Sequence, residues 1–196
     1  MINKKTILIH GYAGRDLSFW LQWIEEELKK EKVTTYFPAY EDSKQPKMDQ
    51  WVNLFKEELS DPDCEYSFVA HSMGCLVTLK LIEQLDLKLN NVVLVACPKN
   101  MVLDKVSGSL STKVIGEERR ILNEFFEQQY DWDLINSKIS NLHFFFSDDD
   151  FAVPIDAYDY YKEIFPEAEF KIFNNYGHFN RKNDIYTLPE ALELIK

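Results

Sequence analysis

The stretch Tyr66-Ser67-Phe68-Val69-Ala70-His71-Ser72-Met73-Gly74-Cys75-Leu76 decides the fold. Its first half reads as a strand, because Phe68, Val69 and Ala70 are apolar and Tyr66 suits a sheet. Its second half opens a helix expected to run from Cys75 to about Leu87. That helix carries Val77, Leu81 and Leu85 on one side and Leu76, Leu79 and Ile82 on the other. A helix apolar nearly all round is buried. Between strand and helix, Ala70-His71-Ser72-Met73-Gly74 is a strand–serine–helix turn with alanine in place of the usual first glycine. Such a turn lifts a serine hydroxyl above the C-terminal edge of a sheet. It also sets the serine at a helix N-terminus, where free N–H groups and the dipole favour developing negative charge. A serine there can instead do no more than cap the helix. Choosing between the two needs a histidine and a carboxylate elsewhere in the chain.

Outward from this turn the pattern repeats. Upstream, Thr6–Ile9 is a short apolar strand ending in His10-Gly11-Tyr12-Ala13-Gly14, a tight glycine loop of the kind that approaches ligands in open α/β sheets. A helix is expected from Asp16, with Leu17, Trp20, Leu21, Ile24 and Leu28 on one face. Val33–Phe37 reads as a strand, Pro38–Pro46 as a loop, and Met48, Trp51, Val52, Phe55 and Leu59 as a helix face running to about Ser60. Downstream, Val92–Ala96 is a continuous apolar run, the mark of a parallel strand covered on both faces. Lys99 to Gly116 is irregular and is expected to be either a flap over the site or a plain surface loop. Ile121, Leu122, Phe125 and Phe126 suggest a helix, and so does Asp131–Ile139. Leu142–Phe146 is the next strand, followed by Ser147-Asp148-Asp149-Asp150-Phe151-Ala152-Val153-Pro154. A helix with Ala157, Tyr160, Tyr161, Ile164 and Phe165 leads to the last strand, Glu169–Phe173. That strand runs into Asn174-Asn175-Tyr176-Gly177-His178-Phe179, and a helix from about Leu188 to Ile195 follows. Alternating strands and helices predict an α/β fold: a roughly six-stranded parallel sheet with helices on both faces, in one domain over residues 1–196.

Composition sets limits on function. The 196 residues carry 22 lysines and arginines against 33 acids, a net charge of −11 with no basic cluster. Nucleic acid and anionic membranes are therefore poor partners. Three scattered cysteines, Cys64, Cys75 and Cys97, suggest reduced thiols in a cytoplasmic protein rather than a disulfide framework or a zinc site. Ile7-Leu8-Ile9 is too short for a signal-peptide core, and no run approaches a membrane span.

Everything able to do chemistry falls at a strand C-terminus: His10–Gly14, Ser72, Asp148–Asp150 and His178. Of the four histidines, His143 lies within a strand, where packing is its expected role. His71 precedes Ser72, so its side chain is expected to point away from that serine. His10 ends a strand and is expected to order the loop beside it, with a role as base still open. His178 follows a glycine beyond the last strand and completes the order Ser, Asp, His. Ser72 is then the nucleophile, His178 the base and later the acid, and one of Asp148, Asp149 and Asp150 orients the imidazole. The oxyanion needs two donors. The Met73 backbone N–H is one, and the Tyr12 backbone N–H, in the loop after the first strand, is the choice for the other. The aspartate run could alternatively be a cation loop or a solvated turn, but it lacks calcium-loop spacing. Cys75, in the first turn of the buried helix, either packs or carries a reactive thiol.

Ile9-His10-Gly11-Tyr12-Ala13-Gly14, the helix bearing Trp20, His71-Ser72-Met73-Gly74-Cys75, Ser147–Pro154 and Gly177-His178-Phe179-Asn180 together resemble the small α/β-hydrolases typified by YdeN and retinoblastoma-binding protein 9, a serine hydrolase family. The resemblance runs nearly end to end. It implies a compact hydrolase with a minimal cap, no cofactor and no metal, acting on a small-molecule acyl substrate. It also implies the triad Ser72, Asp150 and His178: in these hydrolases the acid stands four residues before a proline, here Pro154. Ala70 departs from the glycine of the usual motif, and no Leu-x-Cys-x-Glu segment is present, so pocket-protein binding is not implied. The expected activity is cleavage of a small carboxylic ester or related acyl compound through an acyl-enzyme. The alternative is a binding or regulatory protein that keeps the fold without turnover.

Overall fold

Strands β1 (Asn3–Ile9), β2 (Thr34–Tyr36), β3 (Cys64–His71), β4 (Lys88–Val95), β5 (Leu142–Ser147) and β6 (Glu169–Phe173) form one six-stranded sheet in the order β2-β1-β3-β4-β5-β6. Every neighbouring pair is parallel. The computed structural model describes residues 3–40, 45–99 and 122–196. The flap expected over Lys99–Gly116 falls, apart from Lys99, outside the described residues, as does Ile121.

Parallel neighbours need crossovers, and helices supply them. α1 (Phe19–Lys30) joins β1 to β2, α2 (Met48–Lys56) joins β2 to β3, and α3 (Met73–Gln84) joins β3 to β4. Residues 122–126 are helical, and α4 (Trp132–Lys138) precedes β5. α5 (Asp156–Ile164) joins β5 to β6, and α6 (Pro189–Ile195) returns to pack on β3 and β4. Right-handed crossovers put α1 on one face, because β1 to β2 steps one way along the sheet. They put α2, α3, α4 and α5 on the other, where the steps reverse. The reversal lies between β1 and β3, whose C-terminal ends carry His10–Gly14 and Ser72.

Burial follows from this layering. Trp20, Leu21, Ile24 and Leu28 of α1 are buried as their spacing predicts, whereas Leu17 of the same expected face lies in a 3₁₀ turn, Arg15–Leu17, ahead of the helix. α3 buries both sides, from Met73 through Ile82. β3, β4 and β5 have helices on both faces, and Val92–Val95 and Leu142–Phe146 are accordingly buried without alternation. The edge strand β6 is instead largely open to solvent, with Glu169, Lys171 and Ile172 exposed and Phe173 buried.

Two strand starts differ from expectation for one physical reason. β1 begins at Asn3 and β4 at Lys88, several residues before the apolar runs that announced them. Lys5 pairs with Tyr66, and Leu89 also pairs with Tyr66, so these polar starts are true strand. Apolar runs mark where a strand is covered, not where its ladder begins. The early start of β4 also ends α3 at Gln84 rather than Leu87, with Leu85 already extended.

Candidate active site

Ser72 sits between the last residue of β3 and the first residue of α3, with φ 54° and ψ −126°. A left-handed backbone on a non-glycine residue costs about 1–3 kcal/mol and persists only where the surroundings fix it. Two contacts fix it here. The Ser72 N–H donates to the Val95 carbonyl at 2.9 Å, tying the turn to the end of β4. Gly74 lets α3 press against β1: a Cβ there would lie 2.5 Å from the Ile9 carbonyl oxygen. The crowded glycine of this motif is therefore Gly74. Ala70 is an ordinary buried strand residue, paired with Ile9 and Leu94.

The Ser72 hydroxyl makes no capping bond to its own helix. Its Oγ lies 3.0 Å from Nε2 of His178. On the other side of that ring, Nδ1 lies 2.8 Å from Oδ2 and 3.1 Å from Oδ1 of Asp150. A carboxylate only accepts, so Nδ1 carries the proton and Nε2 is left to accept from the serine. Asp150 is held as firmly as it holds. Its Oδ1 accepts from the backbone N–H groups of Ala152 at 2.8 Å and Val153 at 3.0 Å, and its side chain is only 1% exposed.

The neighbouring aspartates differ from a solvated pair. Asp148 Oδ1 accepts from the Asn175 N–H at 2.9 Å. Asp149 Oδ1 accepts from the Gly177 N–H and from the Ser147 hydroxyl, both at 2.7 Å. The hydrogen bond from Ser147 draws the Asp149 carboxyl below its usual range. Both residues are exposed, yet they clip the loop after β6 to the end of β5. The run is thus three carboxylates with separate backbone or imidazole partners, not a cation loop. Among the described residues no group of three or more His, Cys, Asp or Glu is placed to hold a metal ion.

The loop carrying His178 is contorted, with positive φ at Asn175, Gly177 and Phe179. Gly177 admits the Asn183 side chain against its Cα, where a Cβ would overlap it. The His178 N–H donates to Asn183 Oδ1 at 3.1 Å. The loop is also held from across the sheet: Trp20 Nε1–H donates to the Phe179 carbonyl at 2.8 Å. His71 Nε2 lies 2.9 Å from the His178 carbonyl. These tethers were invisible in the sequence. Only the Trp20 and His71 residue types, odd in a buried helix face and strand end, hinted at polar partners.

The other histidines serve elsewhere. His10 Nδ1 bonds the Gly11 carbonyl at 2.8 Å, its Nε2 accepts from the Tyr40 N–H at 3.4 Å, and its ring packs on Tyr40. Burial lowers its pKa to about 4, so it stays neutral and orders the loop rather than titrating beside Ser72. His143 faces Glu169 at 3.2 Å, and burial lowers its pKa. The single S–H of Cys75 lies within reach of the carbonyls of Ala70 and Val95, and burial raises its pKa, so it packs as a thiol.

The oxyanion donors are placed as follows. Met73 is the first residue of α3, so its N–H has no acceptor within the helix. Gly11 abuts the turn, with a Cβ there falling 2.9 Å from Ser72 Cβ and 3.4 Å from the Met73 nitrogen. Tyr12 is the next residue after Gly11 and is partly buried against the core.

A parallel sheet with a Ser–His–Asp array at its C-terminal edge, on a strained strand-to-helix turn, defines an α/β-hydrolase. The chain belongs to the serine hydrolase family, whose model matches residues 6–196. It is similar to YdeN of Bacillus subtilis (strain 168), 23% identical over 201 residues that cover 99% of this chain and 95% of YdeN. The crystal structure of that protein superposes with a TM-score of 0.77 at 22% identity, covering 97% of this chain and 96% of YdeN. A carboxylesterase of the thaumarchaeon Nitrososphaera gargenis shares the fold with a TM-score of 0.66 at 12% identity, covering 98% and 88% of the two chains. So does an esterase of Pyrococcus furiosus, with a TM-score of 0.63 at 17% identity over 98% and 80%.

Proposed function

We propose that this protein is a serine hydrolase that cleaves a small carboxylic ester or related acyl compound through an acyl-enzyme. The observation that carries the reading is the Ser72 hydroxyl bonded to His178 Nε2 instead of capping its helix. In the first half-reaction Ser72 Oγ attacks the carbonyl carbon and His178 Nε2 takes its proton. Asp150 keeps Nδ1 protonated and offsets the positive charge on the ring. The N–H groups of Met73 and Tyr12 bind the oxyanion, each worth about 3 kcal/mol in the transition state. The intermediate then expels the alcohol, which receives the proton from Nε2, leaving the acyl group on Ser72. Water repeats the sequence, with His178 as base, and releases the carboxylic acid.

A cavity of about 230 Å³ is lined by Leu76, one turn beyond Ser72, and by Pro98, just past the end of β4, but not by Ser72 or His178 themselves. Phe125, Tyr130, Trp132 and Tyr161 line it together with the polar side chains of Lys99, Gln128 and Gln129. The chemistry needs no cofactor or metal, and the partner is a small acyl substrate rather than nucleic acid or a membrane, as the net charge of −11 supports. Among the described residues no helix is long and apolar enough to cross a membrane. The cysteines Cys64, Cys75 and Cys97 are free and buried, which suits a cytoplasmic location.

A fluorophosphonate probe tests the reading. Peptide mapping is expected to find the label on Ser72 alone and no label in Ser72→Ala. Label on Ser67, or label persisting in Ser72→Ala, overturns the assignment. A well-folded protein that takes no label at all favours the alternative, a binding protein on a hydrolase fold.

A further inference from the structure

His71 is buried, with 3% of its surface exposed, and triad chemistry gives it no task. Both of its ring nitrogens are nevertheless partnered. Nε2 lies 2.9 Å from the carbonyl oxygen of His178, and Nδ1 lies 2.8 Å from the hydroxyl of Ser18. A carbonyl can only accept, so Nε2 carries the hydrogen and Nδ1 is the acceptor. The Ser18 hydroxyl must then donate to Nδ1. Burial, and then the neighbouring His178, push the His71 pKa well down, which keeps the ring in this neutral form. A neutral ring also places no second positive charge beside His178, whose ring centroid is 4.9 Å away, when that imidazole is protonated.

The geometry points to His71 as a positioning residue: Ser18 fixes its tautomer, and its Nε2–H holds the backbone of His178 so that the imidazole meets Ser72. This rests on the reading of Ser72, His178 and Asp150 as a working triad. Adjacent residues thereby grip His178 at two points. Ser72 meets the end of its side chain at 3.0 Å, and His71 holds its main chain at 2.9 Å. Nucleophile and base are thus referenced to one rigid strand end. The need is plain from the loop, where three residues within five adopt left-handed backbone. Such a segment keeps its shape only when outside bonds over-determine it.

The test uses the whole protein and three variants, His71→Leu, His71→Gln and Ser18→Ala, assayed on p-nitrophenyl acetate with folding checked by circular dichroism. Misplacing a catalytic group by about 1 Å can cost about 10²-fold. His71→Leu is therefore expected to lower kcat by about 10²-fold with KM changed less than about twofold. His71→Gln keeps an N–H donor within reach of the carbonyl and is expected to recover about tenfold of that loss. Ser18→Ala frees the tautomer and is expected to lower kcat by a smaller factor, about threefold to tenfold. The low-field proton resonance of His178 Nδ1–H, assigned by its loss in His178→Gln, gives a readout independent of turnover. It is expected to shift in His71→Leu and return in His71→Gln. Unchanged kcat and resonance in a folded His71→Leu overturn the proposal, as does a glutamine variant no better than leucine. Should the leucine variant not fold, Ser18→Ala and His71→Gln decide by the same two readouts, unchanged kcat and resonance in Ser18→Ala counting against the proposal. A wild-type protein that shows the resonance but takes no fluorophosphonate label breaks the triad reading and leaves the positioning bond to be judged by the resonance.

Discussion

The turn that carries Ser72 and the loop that carries His178 are built in opposite ways. The turn is local. Its strand and helix are its immediate neighbours in sequence, and its close approach to β1 needs one glycine, Gly74. The loop owes its shape mostly to distant groups, Asp148 and Asp149 at the end of β5, Trp20 in α1 and His71 in β3, with Asn183 a nearer one. Ser72 is therefore set by its sequence neighbours and two main-chain contacts, at Val95 and Ile9, and His178 by a wider web of hydrogen bonds. Damage to the turn should be all or none. Damage to the loop should be graded, according to which tether is cut.

The sharpest break comes at the acid, where aspartate orients the ring. Asp150→Asn keeps size and shape but presents an N–H₂ to Nδ1, which forces the proton onto Nε2 and removes the base. The expected loss in kcat is about 10⁴-fold with the fold intact, measured by steady-state kinetics beside circular dichroism.

A second effect of several kcal/mol concerns the turn's own support, the loop ordered by His10. Its pKa falls from 6.5 to about 4 in the folded state. Between those values the unfolded chain binds a proton that the folded chain refuses. Stability from this group is thus full above pH 6.5 and falls as pH drops to about 4, by about 3 kcal/mol. Urea denaturation at pH 7.5 and 4.5 should show a larger drop in wild type than in His10→Gln. An equal drop in both removes the buried neutral histidine from the account.

Smaller effects should follow at Asp149, which separates orienting a ring from holding a loop. Asn can still accept from the Gly177 N–H, so Asp149→Asn should stay within a few-fold of wild type. Asp149→Ala removes two hydrogen bonds to a charged group and should lower kcat by about tenfold, with a lower Tm. If Asp149→Asn shows the large loss and Asp150→Asn keeps most activity, the roles of the two aspartates are reversed.

The smallest effect lies at the rim. Phe151 is 45% exposed, and its ring centroid is 6.2 Å from that of His178. In the proposed mechanism the leaving group takes its proton from His178, so it departs on that side. Phe151→Ala should lower kcat/KM by about threefold to tenfold for aryl esters while leaving methyl esters unchanged, since one apolar contact is worth about 1 kcal/mol. An equal change for both would place Phe151 away from the leaving group.

The same contrast explains what the sequence disclosed. The parallel six-stranded sheet, the buried α3 and the placement of Ser72 were legible because each follows from local periodicity and the alternation of strands with helices. The last strand was read to the residue, Glu169–Phe173, because turn residues bound it on both sides. The starts of β1 and β4 were missed because polar residues pair in a ladder as well as apolar ones do. The choice among Asp148, Asp149 and Asp150 could not come from the residues themselves, three identical side chains in a row, and leaned on the spacing to Pro154. The partners of His71 were illegible: nothing in a strand end says that its side chain reaches a loop 107 residues away.

That reach has a consequence for how the molecule comes to be active. Ser72 and His178 are 106 residues apart, and Trp20 and the Phe179 carbonyl are 159 apart. Closing loops of that length is slow and comes after local helices and turns have formed. A refolding chain can therefore own its strained serine turn while still lacking a base to activate it. Return of turnover would mark the final docking of the loop, and partly folded chains would be chemically silent in spite of carrying the nucleophile.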